Sequence, residues 1–242
     1  MKYDVKLAVL DMAGTTVKDD HEVEDCFAKA AKETGLQVSE EEILAAQGWA
    51  KRFVFETYWE KQIGERSSLW LEKVDYSYAA FRNILEDHYR TSDIYPTKGA
   101  EEIFQLLRSN DVKICLTTGF YRKVANIILD KLGWLDGLNE RHVGNGDSVI
   151  FQSITSDEVP SGRPAPDMIF KAMESAGISD ARQVIKIGDT PSDIKAGKRA
   201  NCLLSMAVGN GTHTAEQLLP FEPDLILKSL CDLESVLLEK VT

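Results

Sequence analysis

The chain has 242 residues, with 28 Lys and Arg against 39 Asp and Glu, a formal charge of −11. That balance argues against nucleic acid as the main partner, because phosphate backbones recruit net Lys and Arg; an apolar share of 43 % is that of an ordinary globular protein. No run approaches the roughly 18–20 apolar residues of a membrane span, and the N-terminus turns acidic too early for a signal peptide, so a cytoplasmic protein is expected.

Lys6–Leu10 is a short apolar run that ends at Asp11 and is followed by Gly14 and Thr15. It predicts a buried strand opening onto a loop. The next such run, Val112–Leu116, ends at Thr117, Thr118 and Gly119. A crossover through one helix needs only about a dozen residues, so the long stretch between the runs holds an insert. Val23, Cys26, Phe27, Ala30 and Ala31 fall on one face of a helix. Ser39 with Glu42 reads as a capping box, Gly48 and Gly64 as helix ends, and roughly Ser67 to Arg90 as a long helix. Trp49, Trp59 and Trp70 all lie in this insert, and Tyr95-Pro96 marks the return.

Beyond the return the chain alternates. Helix Ala100–Ser109 leads to strand Val112–Leu116, and helix Tyr121–Leu132 to strand Val149–Ile154. Helix Pro166–Ala176 leads to strand Gln183–Ile187, and helix Ser192–Ala200 to strand Leu203–Val208. A last strand, Asp224–Leu227, precedes a closing helix, Leu230–Lys240. Alternation of this kind predicts an α/β protein: a doubly wound, Rossmann-like parallel sheet covered on both faces, here with an inserted α-helical cap domain. The boundaries follow as 1–17 with 93–242 for the core and 18–92 for the cap. Cys26, Cys115, Cys202 and Cys231 are far apart with no Cys-x-x-Cys pair, which argues against a disulfide scaffold or zinc finger.

Ligands of such sheets bind at the carboxyl ends of the strands. Polar residues gather there: Asp11, Thr15 and Thr16; Thr117, Thr118 and Gly119; Asp189, Thr190 and Asp193; and Arg163 in the loop Pro160–Pro166. Any one Asp after a strand is ordinarily a turn residue or helix cap. Taken in order, Asp11-x-Ala13-Gly14-Thr15, Thr117-Thr118-Gly119, Gly162-Arg163-Pro164-x-Pro166 and Gly188-Asp189-Thr190-x-x-Asp193 resemble the haloacid dehalogenase-like superfamily. The likeness spans the whole core.

That resemblance implies a Mg²⁺-dependent hydrolase transferring a phosphoryl group from a small phosphonate or phosphate to Asp11 and then to water. It implies Mg²⁺ held by Asp11, Asp189 and the backbone of Ala13, with Asp193 in the metal's outer shell. Thr117, Thr118, Gly119, Gly14 and Thr15 would hold the phosphoryl group, and Arg163 would offset its charge. Two features point to a phosphonatase-like branch, named for phosphonoacetaldehyde hydrolase. Most phosphatases of the superfamily have a second Asp where Ala13 stands, and most have Lys where Arg163 stands. That branch also carries a cap lysine in Gly-x-x-Lys, matched by Gly48-Trp-Ala-Lys51. The lysine forms an imine with the substrate aldehyde, so an enamine leaves and no acid is needed at Ala13; burial by Trp49 and Phe53 would lower the Lys51 pKa. His21, Gln47, Val54 and Phe120 replace residues that surround the aldehyde in phosphonatase, which predicts a relative with a different substrate. A phosphomonoesterase resembling phosphoglycolate phosphatase is the alternative, with a non-catalytic binding module third. The resemblance also admits a homodimer through the aromatic cap.

Overall fold

The computed structural model describes residues 3–46 and 48–238. The apolar run after Lys6 becomes β1 (Leu7–Asp11), buried at every residue. Only a strand covered on both faces can afford such a run. Leu7 and Val9 point into one core with Cys115, Ile154, Met168 and Val184. Ala8 and Leu10 point into the other with Ile114, Leu116, Ile185 and Ile187. This is the two-residue alternation of a strand.

Four helices follow: α1 (Glu22–Thr34), α2 (Glu40–Ala45), α3 (Lys51–Ile63) and α4 (Ser68–Thr91). The Ser39–Glu42 capping box is present. Their shared core is aromatic: Phe27 stacks on Phe55 at 4.5 Å between ring centroids, and Phe81 closes on both at 5.9 Å. The Trp59 indole donates to Ser77 Oγ at 2.9 Å, so a buried polar edge keeps its partner.

The chain then runs α5 (Ala100–Ser109), β2 (Lys113–Thr118), α6 (Arg122–Lys131), β3 (Gln152–Thr155), α7 (Asp167–Ala176), β4 (Val184–Gly188), α8 (Pro191–Arg199), β5 (Leu204–Val208), α9 (Ala215–Leu218), β6 (Leu225–Leu227) and α10 (Leu233–Leu237). All strand pairs are parallel and the sheet order is β3-β2-β1-β4-β5-β6. The expected doubly wound α/β sheet is thus observed. No helix among the described residues is long and apolar enough to cross a membrane.

The departures are local. The strand expected from Val149 begins at Gln152, because the Ser148 hydroxyl donates to the carbonyls of Asn145 and Ile150 and holds that stretch in a turn. The helix expected to end at Gly48 stops at Ala45. The closing helix is a turn of 3₁₀ helix, Leu230–Asp232, followed by the short α10. Its expected last residues, 239 and 240, lie outside the described residues.

Candidate active site

Chain order reverses at β1: the sheet grows from it through β2 on one side and β4 on the other. A crevice opens at the carboxyl ends of strands at such a reversal. Asp11 ends β1, Thr118 ends β2, and Asp189 follows β4, so topology alone brings these residues to one rim.

Three carboxylates converge there. One oxygen each from Asp11, Asp189 and Asp193 lies within 4.8 Å of the others, and all three residues are buried. The Asp11 carboxylate accepts the Met12 N–H at 2.8 Å and the Arg163 guanidinium at 2.8 Å. Asp193, in the first turn of α8, takes the Lys186 ammonium at 2.7 Å and a further bond from Arg163. Asp189 is held by neutral donors, the Thr15 hydroxyl at 2.9 Å and the Thr212 N–H at 2.7 Å.

The charges are unevenly shared. Burial raises the Asp11 carboxyl against the pull of Arg163. Burial would also raise Asp193, but Arg163 and Lys186 outweigh it and hold that carboxyl well below the usual range. Asp189 is pushed up to about 7, by burial first and then by the charges of Asp11 and Asp193. A buried site with excess carboxylate on the Asp189 side and only oxygen donors there suits a hard divalent cation.

The helical insert closes the other wall. Gly48 has φ +76, and a side-chain carbon there would lie 2.2 Å from Ser192 Oγ. The carbonyls of Gly48 and Trp49 come so near Gly119 that a Cβ on Gly119 would lie 3.0 and 2.8 Å from them. Glycine on both sides lets the insert's loop dock onto the rim. Lys51 opens α3 directly behind this loop and is only 7 % exposed. Burial lowers its ammonium to about 8, although Glu24 pulls the other way. The positive end of the α3 dipole acts in the same direction as burial.

Asp11, Ala13, Lys51, Thr118, Gly119 and Arg163 therefore share one cleft, with Asp19, Val23 and Phe120. The free volume between these side chains is small, about 30 Å³.

Several expected site residues stand behind the cleft's lining, as Asp189 and Asp193 do. Thr117 does not line the cleft: its hydroxyl donates to the Leu10 carbonyl at 3.4 Å and faces Lys186 Nζ at 3.4 Å. Successive strand side chains point to opposite faces, and Thr118 is the one that reaches the cleft. Gly14 and Thr15 bear on Asp189 and lie outside the cleft's lining. Phe53 is 47 % exposed and packs at a tilt against Trp49, so the apolar neighbours that share the cleft with Lys51 are Val23 and Phe120. The His21 side chain is 69 % exposed; Val54 packs in the aromatic core; Gln47 lies outside the described residues.

Two residues escaped sequence reasoning. Lys186 interrupts an otherwise apolar strand, and a charge in the middle of a buried run was the available signal. Asp19 gave none, since its side chain reaches the cleft only through the turn that starts α1.

A family model described as haloacid dehalogenase-like hydrolase matches residues 5–201. A bifunctional phosphonoacetaldehyde hydrolase/aminoethylphosphonate transaminase from Clostridioides difficile is 31 % identical over 86 % of this chain, which spans only 32 % of that longer protein. A phosphonoacetaldehyde hydrolase from Bacillus cereus is 29 % identical over 90 % of this chain and 83 % of its own. Among solved structures, a phosphonoacetaldehyde hydrolase-like protein from Oleispira antarctica superposes with a TM-score of 0.77 at 20 % identity, covering 97 % of this chain and 92 % of its own. A hydrolase from Pseudomonas syringae gives 0.74 at 17 % identity, covering 95 % and 96 %. At these identities the structural likeness concerns the fold.

Proposed function

This chain belongs to the haloacid dehalogenase-like hydrolases, and from that premise we propose a phosphonatase-like enzyme that cleaves the carbon–phosphorus bond of a small aldehyde-bearing phosphonate. The observation that carries this reading is a buried lysine, Lys51, in the same cleft as Asp11 and Arg163, with Ala13 where a proton-donating carboxyl would stand. In this reading residues 18–92 form a cap over a core of 1–17 and 93–242.

Asp11 is the nucleophile toward phosphorus, and covalent capture divides one hard step into two. Arg163 holds Asp11 Oδ2 at 2.8 Å, and its Nε–H has no acceptor among the described residues, so it is available to a phosphoryl oxygen. Thr118 and the amide of Gly119 close the phosphoryl pocket, with Thr117, Gly14 and Thr15 behind them as supports. Asp11 and Asp189, with the Ala13 backbone, would hold Mg²⁺, and Asp193 would hold its water. When bound, Mg²⁺ offsets the crowded carboxylates and draws charge from the phosphoryl oxygens.

Lys51 acts on the leaving group. A carbanion is too unstable to leave directly. Condensation of the Lys51 amine with the aldehyde, with loss of water, gives an iminium; as Asp11 bonds phosphorus the carbon–phosphorus bond breaks, its electron pair becomes the carbon–carbon double bond, and the carbon–nitrogen π pair moves to nitrogen. The leaving group is then a neutral enamine and needs no proton from position 13. A lowered lysine pKa is what such a nucleophile requires.

The test is borohydride reduction in the presence of an aldehyde, read by mass spectrometry. The expected result is one adduct on Lys51 in the wild type, none in Lys51→Arg, and phosphate release from phosphonoacetaldehyde that requires both Lys51 and Mg²⁺. An adduct that persists in Lys51→Arg would refute the role. Phosphate released only from phosphate esters would instead establish the phosphomonoesterase reading.

A further inference from the structure

Among the described residues, four titratable side chains line the cleft: Asp11, Asp19, Lys51 and Arg163. Asp11 and Arg163 are tied to each other. Condensation at Lys51 needs a proton donor as well as an amine, because the carbonyl oxygen must leave as water. Val23 and Phe120 carry no proton to give, and the His21 side chain stands 69 % exposed. Glu24, whose charge acts on Lys51 more strongly, does not line the cleft, so of the titratable groups lining it Asp19 remains.

Its position is built. Helix α1 starts in an unusual way, with His21 at its N-cap in a left-handed conformation (φ 72) and no cap bond from the His21 side chain. Asp19 Oδ1 instead accepts the Glu22 N–H at 3.0 Å. That bond anchors one carboxyl oxygen at the base of α1, while Asp19 contributes to the wall of the cleft shared with Lys51. Burial first, then a hydrogen bond shared with the Glu22 side chain and the nearby charge of Glu24, pushes the Asp19 carboxyl well above the usual range. A raised carboxyl and a lowered amine lining one cleft are the division of labour an acid–base pair needs.

We propose that Asp19 is the acid–base residue of the Lys51 reaction, protonating the hydroxyl that leaves as water when the iminium forms. The proposal rests on the Lys51 reading above. Lys51 Nζ bonds the carbonyl carbon, and the amine proton passes through solvent to the oxygen. Asp19 protonates that hydroxyl, the carbon–oxygen bond breaks, and water departs, leaving an iminium and an Asp19 carboxylate. After the carbon–phosphorus bond has broken, the enamine carbon takes a proton from solvent. Water then adds to the product iminium, Asp19 takes the proton of that water, and collapse of the adduct frees Lys51 and the aldehyde.

A helix cap is the bland alternative for Asp19, and Asp19→Asn separates the two. The Asn carbonyl still accepts the Glu22 N–H but has no acidic proton. Acetaldehyde with borohydride is the probe, with the rate of Lys51 adduct formation followed by quenched mass spectrometry and thermal melting run on each variant. The expected result is a fall of about 10²–10⁴-fold in trapping rate for Asp19→Asn, with an unchanged melting temperature and partial recovery in Asp19→Glu. Trapping by Asp19→Asn at the wild-type rate overturns the proposal. So does a loss confined to Asp19→Ala and accompanied by a lower melting temperature, since that marks a cap alone. Should Asp19→Asn melt early, Asp19→Glu decides: recovery of melting without recovery of rate also overturns it. Failure of the wild type itself to trap refutes the Lys51 chemistry, a different outcome from any of these.

Discussion

Gly14→Ala probes how the carboxylate cluster is held. Gly14 has φ +80, and a Cβ there would lie 2.1 Å from Asp189 Oδ2 and 2.7 Å from its Cγ. The left-handed backbone costs an alanine about 1–2 kcal/mol, which is a fall of about 2–8 °C in melting temperature for a domain of this size. The contact adds a second effect. Asp189 is fully buried and pinned by Thr15 and the Thr212 N–H. Gly211 approaches it from another side, where a Cβ would sit 2.5 Å from Oδ2. The carboxylate therefore has nowhere to yield except toward the cluster, or by breaking both hydrogen bonds. A shift of about 1 Å at a reacting centre costs on the order of 10²-fold in rate. Phosphate release titrated with Mg²⁺ should show a turnover reduced at least that far and a metal requirement moved to higher concentration, with melting followed in parallel. A wild-type metal midpoint would refute the claim that this glycine sets the position of Asp189.

Three further outcomes follow from the site's electrostatics. With Lys51 lowered to about 8, its ammonium predominates below that pH and its amine above it, so adduct formation should rise with pH and level off beyond the midpoint; a rate indifferent to pH there would contradict a lowered amine. In metal-free protein Asp189 is raised from 3.8 to about 7, so the folded state holds the extra proton between those values. Its stabilising contribution is complete below about 3.8 and is lost as pH climbs through about 7; Mg²⁺ added near pH 6 should therefore release protons, and calorimetry in buffers of different ionisation enthalpy would detect an uptake that refutes this. Lys186→Met removes the ammonium 2.7 Å from buried Asp193, and urea denaturation should show a loss on the order of 3 kcal/mol; a loss near zero would mean that Arg163 alone compensates Asp193.

Much of the fold was legible along the chain because its signals are local. An unbroken apolar run such as Leu7–Leu10 is tolerated only between two covered faces, so it announced a central parallel strand. Alternation with amphipathic helices then fixed the class, and Asp11, Arg163 and Asp189 stood out by motif. Strand ends at the sheet's edge were less legible, because a side-chain bond such as that of Ser148 to Ile150 O overrides β propensity. What only tertiary structure decided is which side chains meet. Thr117 and Thr118 are neighbours with the same chemistry, yet the pleat turns one toward Lys186 and lets the other reach the cleft. Lys51 and Asp19 come from the insert and from the turn that opens it, and no spacing in the chain links them to β1. They reach the cleft because the Gly48 loop docks on the rim and the Glu22 N–H anchors Asp19. Sequence periodicity reports which face a residue buries; it carries no record of the distances between elements brought together by packing, and a lowered lysine or a raised carboxyl is a property of those distances.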